Sequence, residues 1–159
     1  MQRQSRPGAW AAVIKGPAGA TEITGFEDRT TNQRMELTAA AEALERLPRD
    51  CSSVTLYSDS GYLIDGMTKK WYEAWERNGY KTRQGSAVKN AELWQRLVRF
   101  SRDTPVVWRK VRGHSGHPGN ERADRLVNAE MDRRGAAAGK RPATGKSRPG
   151  AKGSRSRAR

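Results

Sequence analysis

Two strand-like segments come before any helical period, and that order limits the fold more than any other feature of the chain. Ala9–Lys15 (AWAAVIK) and Thr21–Glu27 (TEITGFE) flank Gly16-Pro17-Ala18-Gly19, a turn sequence, so the pair reads as a hairpin. A helix follows over Gln33–Leu47, where Leu37, Ala40, Ala41, Leu44 and Leu47 recur at spacings of three and four and Pro48 closes the run. Val54–Ser58 (VTLYS) is a short strand ending at Asp59. Ser60–Met67, Lys70–Asn78 and Asn90–Ser101 carry helical patterns, and Pro105–Val111 (PVVWRKV) is a further strand. After a turn rich in Gly and His, Gly113–Gly119, a last helix spans Asn120–Arg133 with Ala123, Leu126, Val127 and Met131 on its buried side. A hairpin followed by strands alternating with helices predicts an α/β sandwich, a mixed sheet flanked by helices.

Composition divides the chain in two. Residues 135–159 contain only Ala, Gly, Ser, Thr, Pro, Lys and Arg, with eight basic residues and no acid. Such a segment has too little apolar surface to offset the entropy of ordering, so it is expected to be a disordered basic tail behind a domain at 1–134. The domain holds the other 23 basic and all 17 acidic residues, a balance of +6 within a total of +14. Both parts point to a polyanionic partner, the tail as a non-specific contact to nucleic acid. A membrane fits poorly, because no stretch pairs a basic face with a continuous apolar one, and Ala9–Ile14 is far too short to span a bilayer. The single cysteine, Cys51, excludes an intramolecular disulfide framework and a thiolate metal cage, and a cytoplasmic setting is expected.

Three acids stand at element ends, where they can converge. Glu36 lies in the first turns of the first helix, on the side facing the sheet; Asp59 follows a strand's carboxyl end, the edge at which open α/β sheets bind ligands. Asp124 lies one turn after Asn120 in the last helix. Three carboxylates without thiols make a hard, all-oxygen site that suits Mg²⁺ or Mn²⁺. His114, in the glycine-rich loop, is placed to shuttle protons. Taken singly, each has a plainer reading. Glu36 suits a helix N-terminus, Asp59 with Ser60 suits a helix cap, Asp124 resembles any solvated helix acid, and His114 suits a structural loop hydrogen bond.

The strings around these acids decide between the readings. TTNQRMEL (Thr30–Leu37), YSDSGY (Tyr57–Tyr62), VKNAELWQRL (Val88–Leu97) and VRGHSGHPGNERAD (Val111–Asp124) occur in the order and spacing of type 1 ribonuclease H, and the chain resembles that family from Pro7 to Arg133. The resemblance implies metal-dependent endonucleolytic cleavage of the RNA strand of RNA–DNA hybrids with two divalent cations, Mg²⁺ or Mn²⁺. It implies that Glu36, Asp59 and Asp124 bind the metals and that His114 assists proton transfer or product release. It matches Asn120 to a polar residue beside the last acid, Asn32 to a reader of the hybrid's minor groove, and Thr31 and Asn90 to a grip on a phosphate of the DNA strand. A monomer is expected by the same analogy.

Lys69–Lys89 reads as a substrate handle, with Lys69, Lys70 and Lys89 interleaved with Trp71, Trp75 and Tyr80, and it is similar to the basic protrusion with which some bacterial members hold the DNA strand. Trp71 and the lysines are expected on the substrate, while Trp75, Trp94, Trp10 and Trp108 are expected mainly in the core. One family feature has no counterpart: members open on a strand ending in Asp-Gly-Ser or similar, whereas Gln4–Trp10 aligns with the turn after it. The first, central strand and its metal-bridging aspartate are thus expected to be missing from this sequence. A start placed too far downstream is the expected reason, and a catalytically impaired module that still binds hybrids is the alternative.

Overall fold

The computed structural model describes residues 5–139. The elements run β1 (Arg6–Gly16), β2 (Gly19–Thr30), α1 (Asn32–Glu45), β3 (Val54–Ser58), α2 (Gly61–Thr68), α3 (Trp71–Arg77), α4 (Ala91–Asp103), β4 (Val106–Lys110) and α5 (Pro118–Gly139).

β1 and β2 form an antiparallel hairpin, paired from Gly16 with Gly19 back to Arg6 with Thr30, with one irregularity between Arg6 and Gly8. Pro17 and Ala18 make the turn, and Gly19 leaves it at φ +121°, a conformation that side chains resist. Both strands run past the apolar stretches that mark them in sequence, because ladder hydrogen bonds belong to the backbone and continue through polar residues. Ala9, Trp10 and Ala11 are all buried. Successive strand residues point to opposite faces, so both faces of β1 are covered, and α1 and α5 are the helices packed on it.

α1 starts at Thr31, whose Oγ1 accepts the Arg34 N–H at 3.2 Å. Its Leu37, Ala40, Ala41 and Leu44 meet Leu93, Trp94, Leu97 and Val98 of α4 and Leu63 and Met67 of α2 in one core. Arg96 of α4 closes the rim of the α1–α4 contact, donating twice to Glu45 at 2.7 Å and once to Glu42 at 3.1 Å. β3 and β4 pair in parallel, Val54 with Val106 through Ser58 with Lys110. Val54, Leu56, Val106 and Trp108 lie against the core, and Thr55, Tyr57, Val107 and Arg109 face outward.

Two expectations change. Parallel and antiparallel pairing both occur, but they are divided between two two-stranded sheets, because no strand among the described residues joins β1–β2 to β3–β4. β1 and β3 are not hydrogen-bonded to each other. The segment expected as a disordered tail from residue 135 starts as helix, since α5 continues through Gly139. Ala136, Ala137 and Ala138 are the strongest helix formers available to prolong it. The rest of that segment, 140–159, lies outside the described residues.

Candidate active site

Asp59 is the acid whose charge reaches both of the others. It follows the last residue of β3, and the chain turns at once into α2, where buried Ser60 caps the helix by accepting the Leu63 N–H at 3.1 Å. The cap fixes the backbone directly behind the Asp59 carboxylate, while that side chain remains exposed. On one side is Glu36, in the second turn of α1. Burial holds the Glu36 carboxyl above its ordinary range; the Ser60 hydroxyl opposes that rise and the charge of Asp59 adds to it. On the other side is Asp124 of α5. Burial raises its carboxyl too, Asp59 again adding, with His114 opposing and Glu121 contributing. Asp59 thus acts on both neighbours.

The loop between β4 and α5 closes over this group. A Cβ on Gly113 would lie 3.4 Å from Asp59 Oδ2, so the loop backbone passes close to the carboxylate. His114 is exposed in a left-handed turn at φ 57°. Asn120 reaches back from α5 and donates from Nδ2 to Asp59 Oδ2 at 3.5 Å. Among the described residues, no three His, Cys, Asp or Glu side chains are gathered tightly enough to enclose a metal ion. The donor chemistry nevertheless fits one. Three carboxylates, two of them raised by burial and by like charge, form a site whose repulsion a hard divalent cation would relieve.

The phosphate-grip candidates also come together. Arg34 donates its backbone N–H to Thr31 and its guanidinium to Asn90 Oδ1 at 3.3 Å. Its remaining partners are Glu27 at 3.1 Å and Glu92, which between them hold β2, α1 and α4 around one guanidinium. Asn32 is exposed and accepts from Arg6 at 3.3 Å. The handle residues are less uniform. Lys69 and Lys70 are largely exposed in long pairs with Asp65 (3.7 Å) and Glu73 (4.0 Å), and Lys89 is exposed. Trp71 is half-buried, with Tyr62, Trp94 and Trp75 at ring-centroid distances of 6.1, 6.2 and 6.3 Å, so part of its surface serves the core.

The RNase H family model matches residues 1–132. A ribonuclease H of Chelativorans sp. is 52% identical over 125 residues, covering 79% of this chain and 76% of the relative. The chain belongs to the ribonuclease H family. A ribonuclease H of Nitratidesulfovibrio vulgaris is 49% identical over 129 residues, covering 81% of this chain and 82% of the relative. Among solved structures, LC9-RNase H1, described as a type 1 RNase H with the type 2 active-site motif, matches with a TM-score of 0.64 at 28% identity over 83% of this chain and 74% of that one. As a ribonuclease H, the protein hydrolyses the RNA strand of RNA–DNA hybrids, and nucleic acid is its partner. No described helix is long and apolar enough to cross a membrane.

Two residues of this ribonuclease H escaped sequence reasoning. His117 accepts the Asn120 N–H at Nδ1 (3.1 Å) and so caps the helix that carries Asp124. The signal was available: Pro118, directly after it, is the residue favoured at a helix's first position. Arg34 left no such trace, since its partners come from Glu27 and from Asn90 and Glu92, far off in sequence.

Proposed function

We propose that Glu36, Asp59 and Asp124 hold two divalent cations, Mg²⁺ or Mn²⁺, for endonucleolytic cleavage within the hybrid. Bound there, such ions would offset charge on the entering and leaving oxygens of the phosphodiester and lower the pKa of the attacking water. The protein's share is positional. Asp59, whose charge reaches both other acids, would help hold the ions, and Asn120 steadies it by donating to Oδ2. His114, on its exposed turn beside Asp124, carries a proton between the site and solvent. The Thr31 hydroxyl accepts from Arg34 and keeps its own O–H; Asn90 has its oxygen engaged and its Nδ2 left to donate. Together they offer two donors to a DNA-strand phosphate. Asn32 reads the minor groove, where only the RNA strand has 2′-hydroxyls. Lys69, Lys70, Lys89 and the open part of Trp71 serve as the handle, and the tail's basic residues add non-specific attraction.

The observation that carries this reading is that Glu36 and Asp124 are both raised, chiefly by burial, and that the charge of Asp59 adds to each. Asp59→Asn should lower cleavage of a labelled hybrid in Mg²⁺ or Mn²⁺ by at least about a hundredfold, since even outer partners of a metal site cost 10–100-fold. Hybrid affinity should stay nearly unchanged. Undiminished cleavage would refute the role of Asp59. The open spacing of the three carboxylates favours a second reading, a hybrid-binding module impaired in catalysis. Tight hybrid binding by the unsubstituted protein without cleavage in either ion would select it.

A further inference from the structure

The outward face of β3 and β4 is unlike the rest of the surface. Tyr57 is 50% exposed and Val107 47%, and they are the large apolar side chains most open to solvent among the described residues. The parallel register places Thr55 beside Val107 and Tyr57 beside Arg109, all four on the exposed face. His117 packs against Tyr57 with 4.9 Å between ring centroids and 36° between planes. That contact fixes the tyrosine ring and leaves half its surface open. None of the ion pairs among the described residues involves Arg109. An aromatic ring held in place, an apolar neighbour and a guanidinium outside the described ion pairs, all on one exposed sheet face, are the elements of a base-stacking platform.

The face is continuous with the active site. Tyr57 is two residues before Asp59 on the same strand. His117, which touches the Tyr57 ring, accepts the backbone N–H of Asn120, and Asn120 donates to Asp59. A strand leaving the catalytic carboxylates along β3 would therefore meet Tyr57 within two residues' rise, about 7 Å. Duplex phosphates would need only the cation. The exposed ring and Val107 call for an apolar face, and nucleic acid offers one where bases are unpaired.

We infer that the Tyr57–Arg109 face is a second nucleic-acid subsite, which binds single-stranded nucleic acid continuing from the end of the hybrid. One base stacks on Tyr57 over the Val107 side chain, and Arg109 neutralises the adjoining phosphate. The subsite favours hybrids that end in an unpaired strand, and it operates in binding, independently of cleavage.

Fluorescence anisotropy tests it on the full chain without divalent metal. Affinity is measured for a blunt hybrid and for hybrids with unpaired extensions of about six nucleotides on the RNA strand, on the DNA strand, or lacking bases. At least one base-bearing extension should tighten binding about tenfold, consistent with 1–3 kcal/mol for one stacked base, and the abasic extension should not. The arm that gains identifies the strand. Tyr57→Ser should abolish the gain and leave blunt-hybrid affinity unchanged; Tyr57→Phe should keep it. Arg109→Gln should reduce it and lower the salt slope by about one. Equal affinity for blunt and extended hybrids overturns the proposal, as does a gain that survives Tyr57→Ser with the variant's melting curve intact. Tyr57-dependent dimerisation in sedimentation also overturns it, by placing a second copy of the chain on this face.

Discussion

Glu36 shows how a carboxylate proposed to bind metal acts on the fold that carries it. Burial, with Asp59 adding, raises its pKa in the folded chain, so the folded state takes up a proton more readily than the unfolded one. The cost to stability is absent below the unfolded value and sets in as pH rises through the window between the two. Glu36→Gln should therefore stabilise the metal-free protein at neutral pH, raising its melting temperature by about 2 °C. The gain should vanish below the ordinary glutamate value of about 4.3. Divalent metal should raise the melting temperature of the unsubstituted protein and much less that of the variant. Thermal scans at two pH values, with and without Mg²⁺, test both statements; a variant less stable than its parent at neutral pH would contradict the burial argument.

At the scale of elements, a glycine sets how closely α2 approaches α4. A Cβ on Gly66 would clash with the Trp94 ring, with Trp71 at 3.1 Å. Trp94 has no room to yield, being fully buried with its indole N–H donated to the Tyr62 hydroxyl at 3.2 Å. Gly66→Ala gains up to about 1 kcal/mol of helix propensity and forces an overpacked core at about 1–3 kcal/mol, so the net effect should be a loss. Urea unfolding measures it, and a stabilised variant would show that α2 can shift. The same region shows what sequence makes legible. β3 lies where its apolar run places it, and α1 follows the spacing of its leucines and alanines, because burial of a local pattern decides both. The left-handed caps Lys70 and Asn90 were not legible, since neither residue type demands that conformation and the surrounding packing imposes it. Nor was the division of the sheet, which rests on which strands meet across long stretches of chain. The three acids proposed for the site stood out in sequence because each lies near an element end; the link between Thr31 and Asn90 did not, because it passes through the Arg34 guanidinium.

For the whole molecule, charge separates substrate choice from substrate retention. The residues proposed to discriminate strands, Asn32, Thr31 and Asn90, belong to the domain, near the start of α1 and of α4. All eight basic residues of the chain's last 25 lie beyond Gly139, at the end of the helix whose second turn holds Asp124. Gly139 lies fifteen residue steps beyond Asp124 along α5, so the tail's attachment point is about 22 Å along the helix from Asp124. Charges attached there can bind phosphates without entering the chemistry. Their contribution should follow counter-ion release, in which each neutralised phosphate adds about 0.9 to the slope of log affinity against log salt. Removing residues 140–159 should weaken hybrid and duplex DNA binding together and lower that slope, by up to about seven if every cation is engaged. Preference for cleaving the RNA strand should be unaffected, because 2′-hydroxyl recognition remains in the domain. Titrations of both duplexes over a range of salt decide the matter: an unchanged slope would show that the tail takes no part in binding, and an altered strand preference would show that it reaches the site.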